Sequence, residues 1–129
     1  METGAALLSL GHVTVRSADF DRTERFYCEV LGMRPGPRPR IPVPGHWFYV
    51  GGEAVVHVLP RGGQEPDHAG GAFDHFALNA RDMPAFERRL RGAGVPFERS
   101  RLADTEAWQL FLTDPDGVRV ELSFCECAG

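Results

Sequence analysis

The sequence predicts an α+β fold made of two tandem βαβββ modules, and three observations carry that expectation. A self-similarity of about 63 residues runs through the chain: His12 recurs as His75, Asp19 as Asp82, Glu24 as Glu87 and Arg25 as Arg88. Each half opens on an alternating strand followed by a helix with apolar residues three and four apart. Each half then continues through short apolar runs separated by Gly- and Asp-rich turn signals. One domain spanning 1–129 holds the pair, with module one at about 7–60, a Gly-rich linker at about 61–71 and module two at about 72–125.

The elements follow in order. In the first strand Val13 and Val15 oppose His12, Thr14 and Arg16; in its repeat, Phe76 and Leu78 oppose His75, Ala77 and Asn79. Ser17 or Asp19 caps a helix reaching about Leu31, with an apolar face of Phe20, Phe26, Tyr27, Val30 and Leu31, and Gly32 stops it. Asp82 caps the second helix, Pro84 suits its first turn, Phe86, Leu90 and Ala93 form the stripe, and Gly94 ends it. An edge strand fits near Gly36 to Ile41, weakened by Pro35, Pro37 and Pro39, and its repeat lies near Phe97 to Leu102. Trp47-Phe48-Tyr49-Val50 matches Gln109-Leu110-Phe111-Leu112 as the third strand. After the turns at Gly51-Gly52 and Asp114-Pro115-Asp116-Gly117, Val55–Leu59 matches Arg119–Ser123 as the fourth.

Composition excludes several function classes. Net charge is −4 and the arginines are scattered among acids, so there is no basic footprint for nucleic acid. No apolar run reaches the ~18 residues of a membrane span. Met1-Glu2-Thr3 lacks the basic start of a signal peptide. Three cysteines, Cys28, Cys125 and Cys127, are too few for a disulfide framework and read as free thiols in a reducing, cytoplasmic compartment. His46 and His68 fall beside Pro- and Gly-containing stretches and read as exposed loop residues.

The chemistry-bearing residues sit at mirrored places. His12 to His57 is 45 residues and His75 to Glu121 is 46, each pair on the first and last strand of its module. All four share the polar parity of their strands, where unpartnered His or Glu would be costly. Three imidazoles and one carboxylate suit one divalent ion, Zn, Ni, Co, Mn or Fe. Six-coordination would leave two positions for neighbouring oxygens of a small-molecule substrate.

These residues resemble the vicinal oxygen chelate superfamily, the glyoxalase, bleomycin-resistance and extradiol dioxygenase group. The resemblance rests on Gly11-His12-Val13, Phe26-Tyr27-x-x-Val30-Leu31-Gly32-Met33, Asp74-His75-Phe76-Ala77 and Asp114-Pro115-Asp116-Gly117-Val118-x-Val120-Glu121-Leu122, and it spans about Leu7 to Phe124. It implies paired modules forming a cup-shaped mixed sheet around one divalent metal, with ligands at His12, His57, His75 and Glu121. It also implies a homodimer, in some members with sites built from modules of two chains. Glyoxalase I proper usually has a carboxylate where this chain has His57.

Strand parity lines the cup with Thr14, Arg16, Trp47, Tyr49, Asn79, Gln109, Phe111, Arg119 and Ser123. Of these, Arg16, Trp47, Tyr49, Gln109, Phe111 and Arg119 are the candidate substrate contacts, with Arg16 or Arg119 suited to a carboxylate or phosphate. Glu121 is the candidate acid–base group. The expected activity is that of a glyoxalase-like lyase or isomerase chelating vicinal oxygens. The alternatives are an Fe-dependent extradiol-type dioxygenase, a drug-binding protein, an antibiotic thiol transferase and an epimerase.

Overall fold

The computed structural model describes residues 9–62, 75–101 and 107–125. In the first module, β1 (Val13–Ser17) leads into α1 (Phe20–Glu24), which runs on as a π-helical segment over Arg25–Val30. β2 (Arg34–Gly36), β3 (His46–Val50) and β4 (Glu53–Pro60) complete it. The second module repeats the order with β5 (Phe76–Ala80), α2 (Met83–Ala93), β6 (Glu98–Arg101), β7 (Ala107–Thr113) and β8 (Arg119–Cys125). The chain is thus α+β, with the βαβββ order present twice.

Each module forms its own four-stranded mixed sheet, ordered β1-β4-β3-β2 and β5-β8-β7-β6. The helix after the first strand is the crossover that lets it lie parallel to the last, while the hairpins between are antiparallel. That pairing sets Thr14 opposite His57, and Ala77 opposite Glu121. The first and last strands of each module, far apart in sequence, therefore run side by side.

The helices start and stop where their capping chemistry sits. Asp19 accepts from the Arg22 N–H and Asp82 from the Ala85 N–H, each satisfying an orphan donor of a first turn. Asp19 is the cap rather than Ser17, whose hydroxyl is buried against Thr23 Oγ1 at 2.6 Å. Gly94, at φ +72°, turns α2 off with its N–H on the carbonyls of Leu90 and Arg91.

Four expectations need correction. The first edge strand is Arg34–Gly36, shorter and earlier than the predicted Gly36 to Ile41, because Pro37 and Pro39 cannot donate to a ladder. Ala93 lies exposed, and the buried face of α2 runs instead through Leu90 and Glu87, whose carboxylate is held by Arg99 at 2.6 Å. His46 is no loop residue: it opens β3 and packs edge-on against Phe20, with ring centroids 5.0 Å apart. His12 and His75 sit one residue before β1 and β5 rather than within them. His68 and Cys127 lie outside the described residues.

The core forms where the apolar parity of the sheets meets the helices. Phe48, Val56 and Val58 from one sheet, and Leu110, Leu112, Val120 and Leu122 from the other, join Phe26, Tyr27, Val30 and Leu90. At the edge, the Tyr49 ring lies over Gly36, where a β-carbon would come within 2.6 Å of it, so only glycine fits.

A buried polar latch joins the modules, built from the turn between β7 and β8. Asp114 accepts from the N–H groups of Asp116 and Val118 and from the Tyr27 hydroxyl at 2.9 Å. Asp116 accepts from the Ala18 N–H at 3.0 Å and from Thr23 Oγ1 at 3.3 Å, with Arg61 at 3.9 Å. The sequence shows this segment as a turn and a family motif; its carboxylates also fasten module two to Ala18, Thr23 and Tyr27 of module one.

Burial pushes the Asp114 carboxyl above its ordinary 3.8, partly opposed by the backbone N–H groups it accepts from. The native fold therefore binds that proton more tightly than the unfolded chain. Stability from this site is greatest with Asp114 protonated and declines as pH rises from 3.8 through the raised native value. In thermal melts across that range, the stability of the wild type relative to Asp114→Asn is expected to fall as pH increases. A difference that is flat or grows with pH would contradict this.

Candidate functional site

The polar parity of the sheets gathers the predicted residues into two half-sites, one on each module. On module two, His75 Nε2 lies 3.0 Å from Glu121 Oε1. The other carboxylate oxygen, Oε2, accepts from Gln109 Nε2 at 3.3 Å and from the Ser123 hydroxyl. Phe111, opposite Glu121 in the β7–β8 ladder, meets the His75 ring edge-on at 5.8 Å. Arg119 stacks its guanidinium over Phe111, 4.7 Å from the ring centre. The Glu121 side chain is nearly covered while His75 remains partly open.

On module one, His57 is sandwiched. Its ring stacks on His12 at 3.7 Å and 12°, and on Trp47 at 3.9 Å and 11°. Burial lowers the His57 pKa from 6.5, helped by the neighbouring His12 and Arg38, so the imidazole is held toward its neutral form with a lone pair to offer. Tyr49 shares this side but commits its hydroxyl to the Pro37 carbonyl.

The donors suit a divalent ion in kind. Two ligand bonds of about 2.1 Å at a right angle place their donor atoms about 3.0 Å apart, the His75–Glu121 separation. Imidazole nitrogen suits the same metals, but His12 and His57 are stacked face to face, so their in-plane lone pairs lie side by side rather than converge. In number they fall short within one chain: among the described residues, no three His, Cys, Asp or Glu side chains cluster closely enough to hold an ion. The structure therefore brings His12 to His57 and His75 to Glu121, but does not bring the two pairs together.

Much of the surrounding face lies open. His12, Thr14, Arg16, Asn79 and Arg119 are exposed, while Trp47, Gln109 and Phe111 are half-buried. Arg38, which sequence reading passed over as part of a Pro-rich loop, acts electrostatically on His57. It donates to the Val43 carbonyl, and its buried Nε has no hydrogen-bond partner among the described residues. No sequence signal marks it, because loop folding alone brings it near the site. Cys28 packs beside the core, with its thiol pushed up to about 11 by burial and by Glu24 and Glu29, and plays no part in the site.

The family model described as Glyoxalase/Bleomycin resistance protein/Dioxygenase superfamily matches residues 9–122. A protein of Arabidopsis thaliana named Glyoxylase I 4 is 28% identical over 127 residues, covering 93% of this chain and 72% of that one. The lactoylglutathione lyase of Salmonella typhimurium is 29% identical over 130 residues, covering 95% of this chain and 96% of that one. A solved structure from Bacillus anthracis, assigned to the glyoxalase family, superposes with a TM-score of 0.78 over 96% of this chain and 100% of that one, at 21% identity, a likeness of fold. Among the described residues, no helix is long and apolar enough to cross a membrane.

Proposed function

The chain belongs to the Glyoxalase/Bleomycin resistance protein/Dioxygenase superfamily, and on that footing we propose that it is a divalent-metal-dependent lyase or isomerase of glyoxalase type. The observation that carries this is the 3.0 Å approach of His75 Nε2 to Glu121 Oε1 at the polar face of module two. Relatives named lactoylglutathione lyase support the choice of reaction class.

In this reading His12, His57, His75 and Glu121 hold one ion, with the two pairs contributed by different chains of a homodimer. Two features support that assembly. Each chain offers two donors per half-site, where a catalytic site needs about three protein ligands. Among the described residues, His12, Thr14, Arg16 and Arg119 lie exposed beside the two pairs, and Leu10, two residues before His12, leaves 77% of its surface to solvent.

The bound ion would supply Lewis-acid polarisation of two neighbouring substrate oxygens. The protein's own groups supply the rest. Glu121, when loosened from the ion, takes a proton from the carbon beside the carbonyl and returns it to the adjacent carbon, while the hydroxyl proton passes between the two substrate oxygens. Phe111 walls the bound substrate, and Arg16 or Arg119 pairs with an anionic substituent. The substrate class is a small α-hydroxy carbonyl compound or its thiol adduct.

The test is metal content after anaerobic purification, beside a His75→Ala/Glu121→Ala control, followed by an assay with lactoylglutathione. The expected result is about one Zn, Ni, Co or Mn per four-ligand site, lost in the control. Iron with oxygen consumption would favour a dioxygenase instead. No uptake of any ion would leave a binding protein.

The shared site makes a further prediction. Neither His12→Ala/His57→Ala nor His75→Ala/Glu121→Ala should turn over substrate alone. Unfolded together and refolded, random pairing should recover about a quarter of wild-type activity, because half of the dimers carry one intact site of two. No recovery from well-folded mixed dimers would place the whole site within one chain.

A further inference from the structure

Trp47 and Gln109 lie on the third strand of their modules, beside the fourth strand that carries His57 or Glu121, but at different registers: Trp47 faces His57 across its ladder, whereas Phe111 rather than Gln109 faces Glu121. Each is matched to its neighbour. Trp47 sits directly opposite His57 in the β3–β4 ladder and lays an aromatic face on the imidazole at 3.9 Å and 11°. Gln109 turns an amide N–H onto Glu121 Oε2 at 3.3 Å, and Ser123, its own cross-strand partner, donates to the same oxygen.

We propose that Trp47, and Gln109 with Ser123, are positioning residues that fix the second ligand of each half-site, rather than the substrate wall that strand parity suggests for Trp47 and Gln109. This rests on the metal reading above and adds a division of labour to it. With Oε2 engaged by two donors, Glu121 has only Oε1 to present beside His75, so the carboxylate is set as a single-oxygen ligand. With Trp47 on one face and His12 on the other, the His57 ring has one plane available to it. The aromatic ring thus serves the imidazole at 57, and the amide and hydroxyl serve the carboxylate at 121.

The experiment compares the full-length wild type with Trp47→Leu, Trp47→Phe, Ser123→Ala and Gln109→Leu/Ser123→Ala. Affinity for Zn²⁺ is read by competition with a chromophoric chelator, the Co²⁺ absorption spectrum reports coordination, and metal-free melting checks the fold. Trp47→Leu and the Gln109→Leu/Ser123→Ala pair are expected to weaken Zn²⁺ binding about 10- to 100-fold, with the Co²⁺ bands altered and the metal-free melt still cooperative. Trp47→Phe, which keeps a ring on His57, is expected to restore binding to within about threefold of wild type. Ser123→Ala, the smallest truncation, is expected to lose severalfold and stands in if the double variant does not fold. Unchanged Zn²⁺ affinity with a raised KM would return these residues to the substrate wall and overturn the proposal alone. A wild type that takes up neither Zn²⁺ nor Co²⁺ would sink the metal reading and this one with it.

Discussion

Glu121→Gln is expected to lower turnover by about two to four orders of magnitude while leaving the fold intact. The substitution keeps the volume and planarity of the side chain but removes its charge and its ability to take up a proton. The surroundings of Glu121 amplify the loss. Oε2 receives two donors, so an amide that keeps them turns its NH2 group toward His75 in place of the oxygen that sits there now. Circular dichroism and melting separate a chemical defect from a folding one, since Glu121 packs on the cup side and not in the apolar core. Activity within tenfold of wild type would remove Glu121 from the acid–base role and direct attention to another group on that face.

Tyr27→Ala is expected to cost about 3–5 kcal/mol, the loss typical of a large aromatic truncated in a core. Tyr27 is fully enclosed, sits edge-on to Phe26 at 5.0 Å, and ends on Asp114 from the other module. Tyr27→Phe separates the two contributions: it keeps the ring and removes the hydroxyl, for an expected loss of about 1–2 kcal/mol. Denaturant melts of both variants give the comparison. If Phe cost as much as Ala, the inter-module hydrogen bond rather than packing would dominate at this position.

The repeat, the strand alternation and the caps were legible because each is written locally. His57 and Glu121 alternate with apolar neighbours, and Asp19 and Asp82 stand in front of their helices. What escaped depends on distant parts of the chain. Asp114-Pro115-Asp116-Gly117 spells a turn whether its carboxylates meet water or, as here, the β1–α1 junction. Ala93 keeps the helical spacing of Phe86 and Leu90, but the surface that covers α2 ends before it. The π-helical run over Arg25–Val30 leaves no mark in residue type, since one extra residue per turn changes hydrogen-bond partners and not composition. The two pairs His12/His57 and His75/Glu121 were readable from mirrored positions, whereas their separation within one chain required the packing of the modules to be seen.

The latch between the modules runs one way. The turn of module two reaches across with two buried acids, while the corresponding turn of module one, Gly51-Gly52, is short, exposed and without a side chain to offer. The halves of the chain repeat each other in strand order yet are not interchangeable. Two copies of module one could not fasten to each other by this route. Two copies of module two would each present an acidic turn, with no Tyr27, Thr23 or Ala18 at the receiving end. The two halves meet as unlike partners, the turn of module two supplying carboxylate acceptors and module one the N–H and hydroxyl donors.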